Sequence, residues 1–231
     1  MGDAPDAATA LGGRIEPRFV LETRTSVCAP STAPASRATP AQSPLHDKMH
    51  RMALTSTIYH VSVDLSDVDR GVYETFELKV AMHPSESPEY LVTRLLAYCL
   101  ELTEGIEFTA GLSSGDEPAI VVRDLTGRVT AWIEIGMPDA DRLHRASKSA
   151  RVAVYTHREI RNVMGQLEGK KIHRAPEIPI YTFGRGFIDE LAGKLQRRMR
   201  ISLSVTERHL YLEVDGHGLT TVMEEHRVAE A

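Results

Sequence analysis

Two acidic stretches carry the residue types and spacing that could do chemistry: Gly115-Asp116-Glu117-Pro118, and Glu134 within Trp132-Ile133-Glu134-Ile135-Gly136. The apolar runs behind them flank Thr126-Gly127, which predicts two strands joined by a two-residue hairpin turn. That register pairs Ala119 with Glu134 and Glu117 with Gly136. It sets Ile120, Val122, Ile133 and Ile135 on one face and Glu117, Ala119, Trp132 and Glu134 on the other. Glu117 and Glu134 are then diagonal neighbours, close enough to share one ion. A slip of one residue would present Asp116 instead. Two acids across a hairpin also suit a solvated sheet edge. The apolar setting of Glu134 argues for burial, and a buried carboxylate needs a compensating cation. A hard divalent ion, Mg²⁺ or Mn²⁺, takes oxygen ligands of this kind.

Glu86 precedes a helical pattern; it is either a favourable charge at a helix N-terminus or a third acid. Arg142, Arg145 and Lys148 recur at three-residue spacing, which puts them on one helix face. Such a face can meet a phosphate, and a solvated basic surface explains Arg142 and Arg145 equally well. Lys148 gains a role if it points at the carboxylates. Lys194, Arg197, Arg198 and Arg200 read as a basic cluster on a late helix, a solvated face or a track for a phosphate backbone. The ten histidines lack zinc-ligand spacing. No Gly-x-x-x-x-Gly-Lys or Gly-x-Gly-x-x-Gly motif is present.

The elements that would position these groups follow from periodicity and turn residues. Residues 58–64 and 72–82 alternate around a turn at Asp67–Gly71, an N-terminal hairpin. Ser87 and Pro88 are a helix cap and first-turn residue. Leu91, Leu95, Cys99 and Leu102 continue as a buried stripe ending near Gly105. Residues 117–124 and 128–136 form the acidic hairpin. A helix runs from Pro138–Asp139 to about Ala150, followed by an apolar strand at 151–156. A strand at 178–183, a helix at 187–199 and a closing C-terminal hairpin at 201–205 and 210–214 complete the pattern, and the last dozen residues look frayed. The fold class is α/β (α+β), a mixed β-sheet flanked by helices.

The chain has 231 residues, is 42% hydrophobic and 26% charged, and carries a net charge of −5. That composition is globular, and its acidic balance excludes a basic nucleic-acid coat. Residues 1–51 are rich in Ala, Pro, Ser and Thr and read as a disordered extension; residues 52–231 read as one domain. Cys28 and Cys99 are expected to be free thiols in a reducing compartment. No apolar run is long enough to span a membrane, so a cytoplasmic location without membrane association is expected.

Met52-Ala53-Leu54 with Thr57-Ile58-Tyr59, His83-Pro84-Ser85-Glu86, Asp116-Glu117-Pro118 and Trp132-Ile133-Glu134-Ile135-Gly136-x-Pro138 with Arg142 together resemble the YaeQ family from Met52 to the C-terminal hairpin. The resemblance implies a bacterial cytosolic protein with a variant of the PD-(D/E)xK nuclease fold, a hydrolase acting on nucleic acid with Mg²⁺. In that fold an acid on each of two adjacent strands holds the metal, and a lysine two residues after the second activates water. Carried over, Glu117 or Asp116 takes the first place and Glu134 the second. The lysine place falls on Gly136, which departs from the family pattern. Lys148 would then supply the amine from the following helix, Glu86 the acid of the first helix, and Arg142 and Arg145 would face the phosphate. The alternative is a non-catalytic binding module, and a third reading is a purely structural acid paired with Arg142.

Overall fold

The structure, a computed structural model, describes residues 56–109, 117–184 and 186–228, all within the unit Arg51–Ala231. Its described strands form one ten-stranded sheet. The chain begins with the hairpin β1 (Thr57–Asp67) and β2 (Val72–Met82), paired in register from Thr57 opposite Met82 to Asp67 opposite Val72. Helix α1 (Pro88–Leu100) follows, with the Ser87 hydroxyl accepting from the Tyr90 amide at 3.2 Å and Pro88 in the first turn. Its stripe of Leu91, Leu95, Leu96 and Cys99 is buried, each leucine worth roughly 1.5 to 3 kcal/mol of transfer free energy.

The central elements are β3 (Ile106–Phe108), β4 (Ile120–Arg123), β5 (Val129–Ile135), α2 (Ala140–Ala146), β6 (Arg151–Thr156), α3 (Ile160–Leu167) and β7 (Pro179–Phe183). β3, β4 and β5 form an antiparallel meander, while β6 runs parallel to both β5 and β7. Parallel neighbours bury both faces, which accounts for the apolar Val152-Ala153-Val154-Tyr155. One face of this half joins α1 in a core containing Ile120, Ile133 and Ile135; the other packs Val152 and Val154 against Leu143, Val163 and Leu167.

Helix α4 (Phe187–Gly193), β8 (Arg198–Thr206), β9 (His209–Val214) and β10 (His217–Arg227) complete the chain. β10 pairs with β9 through residues 217–222 and with β7 through residues 223–227, so it joins the two halves of the sheet. Inward side chains of β1, β2, β8 and β9 belong to the same core as α1, and the sheet is therefore curved almost closed around that helix. Tyr98 on α1 lies 6.3 Å from the Phe76 ring on one edge strand and stacks at 4.4 Å on Phe108 of the other.

Several expectations need correction. The helix expected to reach Ala150 ends at Ala146, because Ser147 and the two residues after it turn back onto the last carbonyls. The helix expected to reach Met199 ends at Gly193. Met199, Ile201, Leu203 and Val205 alternate inward from Arg198 onward, so Arg198 and Arg200 are strand residues. β10 runs to Arg227 through the stretch expected to fray: Leu219 and Thr221 point inward and its charged end is paired to β7, while residues 229–231 lie outside the described residues. β3 is too short for periodicity to reveal, and α3 was not foreseen.

Candidate functional site

The acidic hairpin has the expected register, with Ile120 opposite Ile133 and Val122 opposite Ala131. Its turn is longer than two residues. The Asp124 carboxylate accepts from the Thr126 hydroxyl (2.6 Å) and the Thr126 (2.9 Å) and Arg128 (3.0 Å) amides, and a bulge follows Val122. Trp132 and Glu134 share the face turned to α2, as alternation requires.

Glu134 is only 8% exposed. Its Oε1 accepts from Trp132 Nε1 at 2.8 Å and from Arg142 Nε at 3.1 Å, and Arg142 Nη2 lies 2.9 Å away. Arg142 Nη2 also donates to the Glu117 carbonyl at 2.6 Å, and the guanidinium carbon stands 5.9 Å from the Trp132 ring centroid. Asp139 caps α2 by accepting from the Arg142 amide at 2.9 Å, which fixes where this side chain departs. Burial pushes the Glu134 carboxyl above the usual range; the Arg142 charge and the Trp132 and Arg142 hydrogen bonds pull the other way.

Glu86 is also buried and also paired with an arginine. Both its oxygens accept from Arg94 at 3.2 Å, and Arg94 Nη2 donates to the Ala81 carbonyl at 2.5 Å. Glu86 directly precedes the Ser87 cap of α1, and its pair with Arg94 also ties the loop before α1 to the helix body and to the end of β2. Burial raises its carboxyl, with Arg94 opposing. Sequence reasoning missed Arg94. The available signal was an arginine inside the apolar stripe of α1, eight residues from an acid.

Gly136 lies between these pairs at φ +81°. A Cβ there would stand 3.3 Å from His157 Cε1 and 3.6 Å from Tyr90 Cδ2. The positive φ strains any L side chain at this position, and a Cβ would press against the His157 ring. Tyr90 feels both the Glu86–Arg94 and Glu134–Arg142 pairs, but burial is the larger effect and pushes its phenol up to about 12. Both ring nitrogens of His157 are buried without a hydrogen-bond partner among the described residues. Burial lowers its pKa.

The other nominated residues do not join Glu134. Arg145 is exposed on α2. Lys148 follows that helix and lines a cleft with Val129 and Thr130 at the start of β5 and with Arg151 and Val152 at the start of β6. Glu134 lies at the far end of β5, five residues from Val129, or roughly 16 Å of strand. Lys148 therefore cannot orient water there. Glu117 precedes β4 and contributes its carbonyl to Arg142; Asp116 lies outside the described residues.

The sequence model described as YaeQ protein matches residues 52–223. The chain belongs to the YaeQ family. The "Uncharacterized protein YaeQ" of Escherichia coli (strain K12) is 29% identical over 170 residues, covering 73% of this chain and 94% of that one. The crystal structure of the YaeQ protein from Pseudomonas syringae superposes with a TM-score of 0.67 at 31% identity, covering 74% of this chain and 95% of its own. That of the Xanthomonas axonopodis pv. citri YaeQ protein gives 0.65 at 28%, covering 76% and 100%.

For this YaeQ member the fit of Mg²⁺ can be tested on the donor set. Glu134 Oε1 already faces three N–H donors, and a guanidinium beside it repels a second cation. Both Glu86 oxygens face Arg94. No group of three His, Cys, Asp or Glu side chains is placed to hold a metal among the described residues. The described residues do not fit the ion. Cys99 is a buried free thiol pushed up to about 12 by burial, and Cys28 lies outside the described residues. No helix among the described residues is long and apolar enough to cross a membrane.

Proposed function

We propose that this member of the YaeQ family is a non-catalytic binding module that keeps a nuclease-like frame. The succession α1, β3–β4–β5 antiparallel, α2 and parallel β6 supports the frame. The observation that carries the loss of catalysis is that Glu134 and Glu86, the two nominated acids that are buried, are each paired with a guanidinium group, Arg142 and Arg94. Gly136 stands where the resemblance asks for an amine, and its positive φ and the tight His157 ring disfavour a side chain there.

Calorimetric titration with Mg²⁺ and Mn²⁺ into the millimolar range tests this, beside a cleavage assay on single- and double-stranded oligonucleotides. The expected result is no saturable metal binding and no cleavage above that of Glu134→Ala. Metal binding and cleavage that both disappear in Glu134→Ala would overturn the proposal. They would establish the second reading, a Mg²⁺-dependent phosphodiesterase. That reading is favoured by the position of Glu134 near the C-terminal end of β5, which runs parallel to β6, with Glu117 leading into antiparallel β4 at the same end; ligands of open α/β sheets bind at that end.

A further inference from the structure

We infer that the cleft at the opposite end of β5 and β6 is a binding site for a linear polyphosphate chain, free or as the triphosphate arm of a nucleotide. The cleft measures about 590 Å³, within the range of small-ligand sites. Three separate segments bring cations to it: Arg128 from the β4–β5 turn, Lys148 and Arg151 from the loop before β6, and Arg174 from the turn before β7. Only Asp124 and Glu177 oppose them, so the lining is net positive in a chain of net charge −5.

The acids neutralise the cations only in part. Asp124 is occupied by its own turn, accepting from Thr126 and from the Arg128 amide. Glu177 meets Arg174 only at 3.9 Å, between two exposed side chains. Arg151 turns to Glu101, which leaves the Arg128 and Lys148 side chains without an ion pair among the described residues. Unmatched cations around a concavity focus a positive potential that favours an anion. A monoanion would meet one of the three segments. A chain of consecutive phosphates can meet all three, and arginine forks suit its oxygens. No aromatic ring lines the cleft among the described residues, so phosphate rather than a stacked base is the group recognised. The inference supplies a ligand class for the binding module and rests on that reading only in having the ligand held rather than cleaved.

The test is calorimetry on the full chain in chelator, with tripolyphosphate, adenosine triphosphate, inorganic phosphate, a short oligonucleotide and polyglutamate as titrants. Tripolyphosphate should bind, with affinity falling as salt rises. Equal affinity for the nucleotide assigns the phosphate chain alone, while tighter nucleotide binding extends the site to the nucleoside. Arg128→Ser with Arg174→Asn should weaken tripolyphosphate at least about tenfold, the loss of one charge-assisted hydrogen bond or more. Asparagine is chosen because Arg174 sits at φ 52°. Lys148→Ser should act in the same direction, and Lys79→Ser on β2 should change nothing. No tripolyphosphate binding, unchanged affinity in the double variant, equal affinity for polyglutamate, or binding of the oligonucleotide alone would each overturn the assignment. Metal-dependent cleavage at the acidic end would defeat the module reading without altering affinities measured in chelator.

Discussion

Truncating Arg142 to alanine leaves a buried carboxylate without its cation. Removing one partner of a fully buried pair costs about 3 to 5 kcal/mol. Here the Arg142 side chain is 24% exposed and that of Glu134 10%, so solvent screening reduces this to about 2 to 3 kcal/mol. The Glu117 carbonyl also loses its donor, about 1 kcal/mol more. The expected loss at pH 7.5 is thus about 3 to 4 kcal/mol, a large part of a typical folding free energy. Urea unfolding followed by Trp132 fluorescence measures it. Glu134→Gln should cost only about 1 kcal/mol, because an amide oxygen still accepts from Trp132. Glu134→Leu with Arg142→Met should lose less than the two single changes summed, by about 1.5 kcal/mol or more. The pH dependence supplies a second check. Unpaired, the Glu134 carboxyl is raised further than burial already raises it. A raised carboxyl favours the folded state at low pH and loses that contribution as pH rises through its folded value. The deficit of Arg142→Ala should therefore shrink between pH 7.5 and pH 5. A deficit below about 0.5 kcal/mol, or strict additivity of the pair, would refute the reasoning.

Two other perturbations bear on the frame around the site. Gly105 sits at φ +78°, and an added Cβ would lie 1.9 Å from the Arg123 carbonyl oxygen of β4. Gly105→Ala should cost about 3 kcal/mol or more from strain plus a backbone collision, read as a drop in melting temperature; a melt unchanged from wild type would show that β3 is not held by this approach. His157 has its pKa lowered by burial, with Arg158 adding and Glu89 and Asp189 opposing. A lowered imidazole contributes stability above the unfolded value of about 6.5 and loses it as pH falls below. Relative to His157→Gln, wild type should lose stability from pH 7.5 to pH 5, and a pH-independent difference would contradict that burial.

Much of the fold was legible because its signals are local. The β1–β2 pairing, the Ser87–Pro88 start of α1 and the 120–133 register all follow from alternation, capping residues and a hydrophobic face that tolerates no slip. The failures share a cause as well. β10 ends in Glu224-Glu225-His226-Arg227, polar enough to read as a tail, yet β7 pairs along it. Arg198 and Arg200 follow a helical segment closely enough to look like its continuation, and only the inward alternation of β8, completed by β1 and β9 on either side, makes them strand residues. Long-range partners override local preference, and they are invisible in any single window.

The same distinction governs the site. That Glu134 needed a cation could be argued from one strand, because an acid among apolar residues carries a desolvation penalty wherever it lies. Which cation could not be argued so. A divalent ion shared with Glu117 and the guanidinium of Arg142 both satisfy that requirement, and the sequence holds residues for each. The deciding facts are three-dimensional. The Asp139 cap sets the first turn of α2, that turn aims Arg142 back across the end of β5, and the guanidinium fills the space with one edge on Glu134 and a donor on the Glu117 carbonyl. The arginine thereby ties together the approach to β4, β5 and α2, the three elements a metal ion would otherwise have joined. A guanidinium does this with directed N–H bonds and needs no further oxygen ligands, so the frame can persist without a third acid within reach and with glycine at 136.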